Sequence, residues 1–195
     1  MPNASPSVTR ERAPDLDTVG TVNSPTTGSI TAKEYGIGSE RTTVLTFTNV
    51  PVTVANTSGA SFGNFKFYDF PEGVIAVKCV TAYFSAIVWT GESIAATGSG
   101  DFSMGSTGTA DATLNSTDVN LLPSTAMLDP FAGGIGRSNA NAILAAPTNL
   151  DGSTTAIDAY LNVIIDDADV SDTDSDTVLF TGTVTLVWSN AGNNV

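Results

Sequence analysis

The last third of the chain alternates with period two. Val178, Phe180, Gly182, Val184, Leu186 and Trp188 fall on one face, and Thr177, Thr181, Thr183 and Thr185 on the other. That alternation predicts a strand with one buried side. Ile157, Ala159, Leu161, Val163 and Ile165 repeat the pattern opposite Asp158, Tyr160, Asn162 and Ile164. Residues 62–70 alternate aromatics with Lys66 and Tyr68 and run into the turn signal Pro71-Glu72-Gly73. Arg41 to Thr48 is rich in β-branched residues and predicts a strand. Val50 to Ala55 continues it, with Pro51 predicting an edge, a bulge or a break. The longest candidate is Val74 to Trp89. One face would carry Val77, Cys79, Thr81, Tyr83, Ser85, Ile87 and Trp89. The other would carry Val74, Ala76, Lys78, Val80, Ala82, Phe84, Ala86 and Val88. Both are mostly apolar, which predicts a central strand covered on both sides.

Between these stretches the pattern weakens. Short strands are predicted around Phe102 and Met104 and over Thr109 to Leu114. Residues 119–149 are the one place for helix, with Asn139 to Ala146 the best segment, ended by Pro147. Pro130 and the cluster Gly133-Gly134-Ile135-Gly136 read as loop. Residues 1–40 contain Pro2, Pro6, Pro14 and Pro25 and almost no large apolar side chain. They read as an extended N-terminal arm, held by a neighbouring subunit. The expectation is an all-β fold with residues 41–195 forming a β-sandwich of jelly-roll topology, and at most one or two short helices. A closed barrel is the alternative.

Composition narrows the partners. Of 195 residues only 14% are charged, and seven Lys and Arg face twenty Asp and Glu, a net charge of −13. Nucleic-acid affinity comes from cations on phosphates, so binding to DNA, RNA or anionic lipid is not expected. The single Cys79 excludes an internal disulfide and reads as a small buried hydrophobe. Met1 to Arg12 has no apolar core of a secretory signal. The stretch from Val74 to Trp89 contains Lys78 and is too short to cross a bilayer as a helix.

Candidate chemistry is sparse. The chain has no histidine, which removes Ser-His-Asp and Cys-His catalysis and most zinc and iron sites. Gly133 to Gly136 lacks the Lys-Ser/Thr of a phosphate-binding loop. Glu72 and Glu92 would form a carboxylate pair only if the strand between them, Val74 to Trp89, bends, since fully extended that strand alone is roughly 50 Å long. Asp166 to Asp176 reads D-D-A-D-V-S-D-T-D-S-D. Its tail starts like an EF-hand loop, but Thr177 and Thr183 replace the required Gly and Glu. An acidic hairpin loop and a non-EF calcium site both remain open. Neither catalytic residues nor a cofactor are expected. The basic residues are Arg10, Arg12, Lys33, Arg41, Lys66, Lys78 and Arg137. Arg10 and Arg12 in the arm, and Arg41 where the domain begins, are the candidate partner-binding residues, through carboxylates on a partner.

The order of signals carries a resemblance. A polar arm is followed by Tyr68-Asp69-Phe70-Pro71-Glu72-Gly73, then Leu150-Asp151-Gly152-Ser153-Thr154 and Asp158-Ala159-Tyr160-Leu161-Asn162-Val163. An Asp-rich loop and Thr181-Gly182-Thr183-Val184-Thr185-Leu186-Val187-Trp188 close the chain. Over residues 41–190 this layout resembles capsid decoration, or cement, proteins of tailed bacteriophages. The resemblance implies a virion structural protein, assembled in the host cytoplasm and seated on the outer face of an icosahedral shell. It further implies a homotrimer that clamps neighbouring major capsid protein subunits. The alternative is a glycan- or receptor-binding sandwich of a phage tail or fibre, with Trp89 or Tyr160 stacking on sugar. A carboxylate hydrolase is the third reading, and it requires two acids facing across a cleft.

Overall fold

The computed structural model describes residues 20–37, 39–56, 61–90, 100–127, 148–165 and 175–192. Arg10, Arg12, Glu92, Arg137, the helix segment Asn139–Ala146 and the acidic run Asp166–Asp174 lie outside the described residues, as does the Trp89 side chain.

The described chain is all-β, with one three-residue 3-10 turn at Ser116–Asp118. Ten strands form one antiparallel sheet: β1 Thr21–Val22, β2 Ser29–Ile37, β3 Glu40–Asn56, β4 Ser61–Asp69, β5 Gly73–Thr90, β6 Gly100–Gly105, β7 Leu122–Met127, β8 Thr148–Gly152, β9 Asp158–Ile165 and β10 Ser175–Asn190. The order is β7-β6-β9-β4-β3-β10-β5-β8, with β2 added to β3 and β1 to β4. The sheet curls on itself as a sandwich. The β2-β3-β10-β5 layer packs its inner side on the β4-β9-β6 layer.

Rings bridge the layers. Phe84 of β5 meets Phe102 of β6 at 5.4 Å between centroids, Phe180 of β10 at 5.0 Å and Phe47 of β3 at 5.9 Å, and Phe47 meets Phe67 of β4 at 5.7 Å. All are edge-on, the geometry that ring quadrupoles favour. A second group, Tyr68–Phe70–Trp188, fills one end of the core. The expected inner face of β10 is present: Val178, Phe180, Val184, Leu186 and Trp188 are all fully buried.

Several strand predictions are corrected. β5 does not have two covered faces. Its core residues are Ile75 and Val77, then Val80, Ala82 and Phe84, then Ile87, so the buried parity changes twice. Two bulges cause this. The pairing with β10 passes from Val187↔Cys79 to Trp188↔Val77, which leaves Lys78 extra, and from Thr181↔Ala86 to Gly182↔Phe84, which leaves Ser85 extra. Each extra residue flips all that follows it. Lys78, Tyr83 and Ser85 therefore face outward, and Cys79 is half-buried rather than core. For Pro51 the edge alternative holds, and the strand is not broken there. β3 runs through the proline, and the irregularity is at Asn49, at a φ of 50°. Pro51 lies on the flank between Thr48, where β2 pairing ends, and Ala55, where β4 pairing begins. Residues 109–114, expected as a strand, are irregular with a bend at 111–112, and Leu122–Met127 is a strand instead. Residues 20–37, read from sequence as part of the arm, contain β1 and β2, and β2 pairs with β3 at nine positions.

The bulges of β3 and β5 lie at one level of β10. Thr181 faces Thr48–Asn49 on one side and Ser85–Ala86 on the other. Its hydroxyl accepts from the Asn49 amide at 3.0 Å and donates to Asn49 Oδ1 at 3.1 Å, while Ser85 Oγ donates to its carbonyl at 3.3 Å. Gly182 fits here because a Cβ would stand 2.1 Å from the Tyr83 carbonyl oxygen.

The strand ends sort into two poles. Asn56, Ser61, Gly100, Ile165 and Ser175 gather at one. Gly20, Asp69, Asp158, Gly73, Gly152 and Asn190 gather at the other.

Candidate functional site

The β2–β3 hairpin and the end of β10 enclose a groove of about 310 Å3 lined by Tyr35, Gly36, Glu40, Arg41, Thr42 and Val187. The strand register makes it. Tyr35 pairs with Thr42, and Thr42 with Val187, so three outward residues stand in a row across three strands. Gly36, at a φ of 153°, leaves the floor open, because a Cβ would lie 2.0 Å from the Glu40 carbonyl oxygen. Tyr35 is 57% exposed at the rim. At the same end, Lys78 Nζ donates to Glu40 Oε1, and this hydrogen bond holds the Glu40 carboxyl below its usual range.

Arg41, proposed from sequence as partner-binding, forms part of the wall and is only 7% exposed. Its Nε lies 3.7 Å from Glu34 Oε1, and its Nη1 donates to the Glu40 carbonyl at 3.2 Å. Burial raises the Glu34 pKa and the Arg41 charge opposes that rise. Deeper in, Trp188 Nε1 donates to Thr43 Oγ1 at 2.9 Å, and Thr43 Oγ1 stands 3.4 Å from the Tyr68 hydroxyl. Burial pushes the Tyr68 phenol up to about 12, so it stays protonated through the neutral range. Gly20 packs directly on that phenol, where a Cβ would be 2.2 Å from the oxygen. The incoming chain therefore lies on the same polar network that backs the groove. Chemically, the rim offers a phenol, a carboxylate–ammonium pair and hydroxyls, a set suited to hydrogen-bonded recognition of a polar partner.

The other sequence candidates are scattered. Glu72 is an exposed turn residue whose carbonyl accepts from Asn190 Nδ2 at 2.9 Å. Tyr160 is half-buried and donates its hydroxyl to Asp158 at 3.2 Å. Beside it Lys66 bridges Asp69 at 3.1 Å and Asp158 at 3.5 Å, a partly exposed network on β4 and β9. Of the acidic run only Asp176 has a described side chain, and it is buried on the inner parity of β10. Among the described residues no three His, Cys, Asp or Glu side chains converge as a metal site, and no helix is long and apolar enough to cross a membrane.

Sequence reasoning missed Glu34, Thr43 and Asn162. Asn162 is fully buried in β9. Its Oδ1 accepts from the Thr109 amide at 2.9 Å, and its Nδ2 donates to the Thr107 and Asp118 carbonyls, both at 3.0 Å. A polar residue on a buried strand was the available signal, since such a group needs partners.

No protein-family model, curated protein or solved structure matches this chain.

Proposed function

We propose that this protein decorates an icosahedral phage capsid, binding neighbouring major capsid protein subunits on the outer face of the shell and stabilising it, as a homotrimer. The observation that supports this reading is the entry of the chain into the fold. Gly20 is packed on Tyr68, β1 is paired with β4 and β2 with β3 over nine residues. Arg10 and Arg12 precede that entry in the sequence and would supply the cations for carboxylates of an adjacent subunit. The net charge of −13 agrees with a position away from the packaged nucleic acid. The residue layout over 41–190 is the remaining support.

The test is addition of purified protein to expanded capsids that lack it, followed by cryo-electron microscopy. Density on the outer surface at three-fold positions is expected, with loss of binding when Arg10 and Arg12 are both changed to Ala. Absence of binding at micromolar concentration would sink the proposal.

The exposed Tyr35 beside the groove favours one other reading, a glycan- or receptor-binding module. A glycan array discriminates: sugar binding that Tyr35→Ala abolishes would replace the capsid reading.

A further inference from the structure

The outward side of β2-β3-β10-β5 is unlike the rest of this protein. Between Leu179 and Val187 on β10, the paired outward positions of β3 run from Pro51 to Thr42 and those of β5 from Val88 to Cys79. β2 adds Thr31, Lys33 and Tyr35. The chain carries twenty Asp and Glu, yet none of these positions is acidic. The centre is a row of threonines, Thr181, Thr183 and Thr185, and Lys33 is the one charge. The two large exposed hydrophobic residues among those described, Tyr35 at 57% and Tyr83 at 49%, both lie on this face. Glu40 and Lys78, already paired with each other, mark its edge.

The geometry points to a second copy of this chain as the occupant, packed face to face through the threonine row. Charge selects the face. Two molecules of net charge −13 repel wherever carboxylates meet, and the described positions between Leu179 and Val187 carry none, Glu40 at the edge being paired with Lys78. Area permits it. Strand spacing and rise give about 500 Å2 in projection per copy, and so about 1,000 Å2 for the pair, the threshold for a specific interface. Shape agrees, because two strand faces of small hydroxyl and β-branched side chains meet as the layers of a sandwich do. The contact is isologous, so it pairs copies two by two. It stands independently of the capsid reading, and a three-fold assembly would need a different surface.

Sedimentation velocity on the full chain, from about 1 to 100 µM, reads the pairing. Concentration-dependent pairing is expected for the native protein, from monomer to dimer or, where another surface already joins three copies, from trimer to hexamer. Thr183→Asp places a carboxylate at the centre of both faces and should weaken the dimer about tenfold or more. Thr155→Asp, at an exposed loop position elsewhere, should leave it unchanged. Circular dichroism checks that each variant is folded. If Thr183→Asp does not fold, Tyr83→Ser, at an exposed position, supplies the same comparison. Cys79 gives an independent readout on the unmutated chain. It lies on this face, so its reaction with a bulky maleimide should slow as protein concentration rises. A monomer or a trimer at all concentrations overturns the inference. So does a dimer that folded Thr183→Asp leaves intact, or Cys79 labelling indifferent to concentration. A trimer would still agree with the capsid reading, which separates the two proposals.

Discussion

Thr43→Val is the sharpest test of the buried polar network. Thr43 and Trp188 are both fully buried, and Thr43 Oγ1 is the acceptor of the indole N–H at 2.9 Å. Valine keeps the shape and replaces the hydroxyl by a methyl. If packing alone decided stability, the change would be neutral or favourable. The hydrogen bond reverses that expectation. An indole N–H left without a partner in the core costs about 1–3 kcal/mol. The Tyr68 hydroxyl, 3.4 Å from the same oxygen, loses a weaker contact. We expect a loss of about 2 kcal/mol from a total of order 5–15 kcal/mol. Thr43→Ser keeps the acceptor and gives up one methyl, about 0.8 kcal/mol. The predicted order is therefore wild type, then Ser, then Val. Urea denaturation followed by circular dichroism measures it, with midpoints compared at constant slope. A Trp188→Phe background closes the cycle. With the donor gone, Thr43→Val should cost close to nothing, leaving a coupling of about 1 kcal/mol or more. Valine within about 0.5 kcal/mol of wild type would refute the reasoning.

Three further outcomes follow from the same structure. Gly182→Ala should destabilise by at least about 1–3 kcal/mol, since its Cβ would meet the Tyr83 carbonyl at 2.1 Å and must part β10 from β5; chemical denaturation reads this, and a neutral result would remove the close approach. Asn162→Leu should cost about 3 kcal/mol or more by stranding three backbone groups of the 107–118 segment, and should raise hydrogen exchange at the Thr109 amide, which loses its 2.9 Å bond to Oδ1. Tyr68 makes stability fall in alkali. Its folded pKa, about 12 against 10.0 free, is the raised one, so its contribution is complete below pH 10 and is lost as pH climbs through 12; the loss is about 2–3 kcal/mol, and Tyr68→Phe should flatten this part of the profile.

What could be read from the chain was whatever depends on local alternation. β10 has no bulge of its own, so its period-two pattern points unbroken at the core and its buried residues could be named in advance. β5 could not be read this way. Its parity changes at Lys78 and Ser85 only because β10 passes them by in the pairing, and a pairing irregularity is a property of two strands rather than one. Its apolar residues on both alternation classes looked like two covered faces but are one covered face reached in three segments. β2 was hidden for a related reason. Its outward half, Thr31, Lys33 and Tyr35, is polar, and its inner half holds only Ile30 among buried hydrophobics, so it is strand by virtue of its pairing with β3. The groove was partly legible. Arg41 was singled out for its charge, but the sequence does not reveal that Glu34 would draw it into the wall, nor that Tyr35 would stand free beside it.

The sorting of strand ends has a practical consequence. The described chain enters at Gly20 and leaves beside Asn190 at a single pole, while the ends of β3, β4, β6, β9 and β10 that border segments 57–60, 91–99 and 166–174 meet at the opposite one. Gly20 and Asn190 thus share one end of the sandwich, and along β10 the sixteen residues from Ser175 to Asn190 separate that end from the border of segment 166–174, about 50 Å if straight. The two poles can be engineered separately: insertions beside Gly20 or Asn190 fall at one, and exchanges of 57–60, 91–99 or 166–174 border the other, with β3, β5 and β10 as the spacer between them.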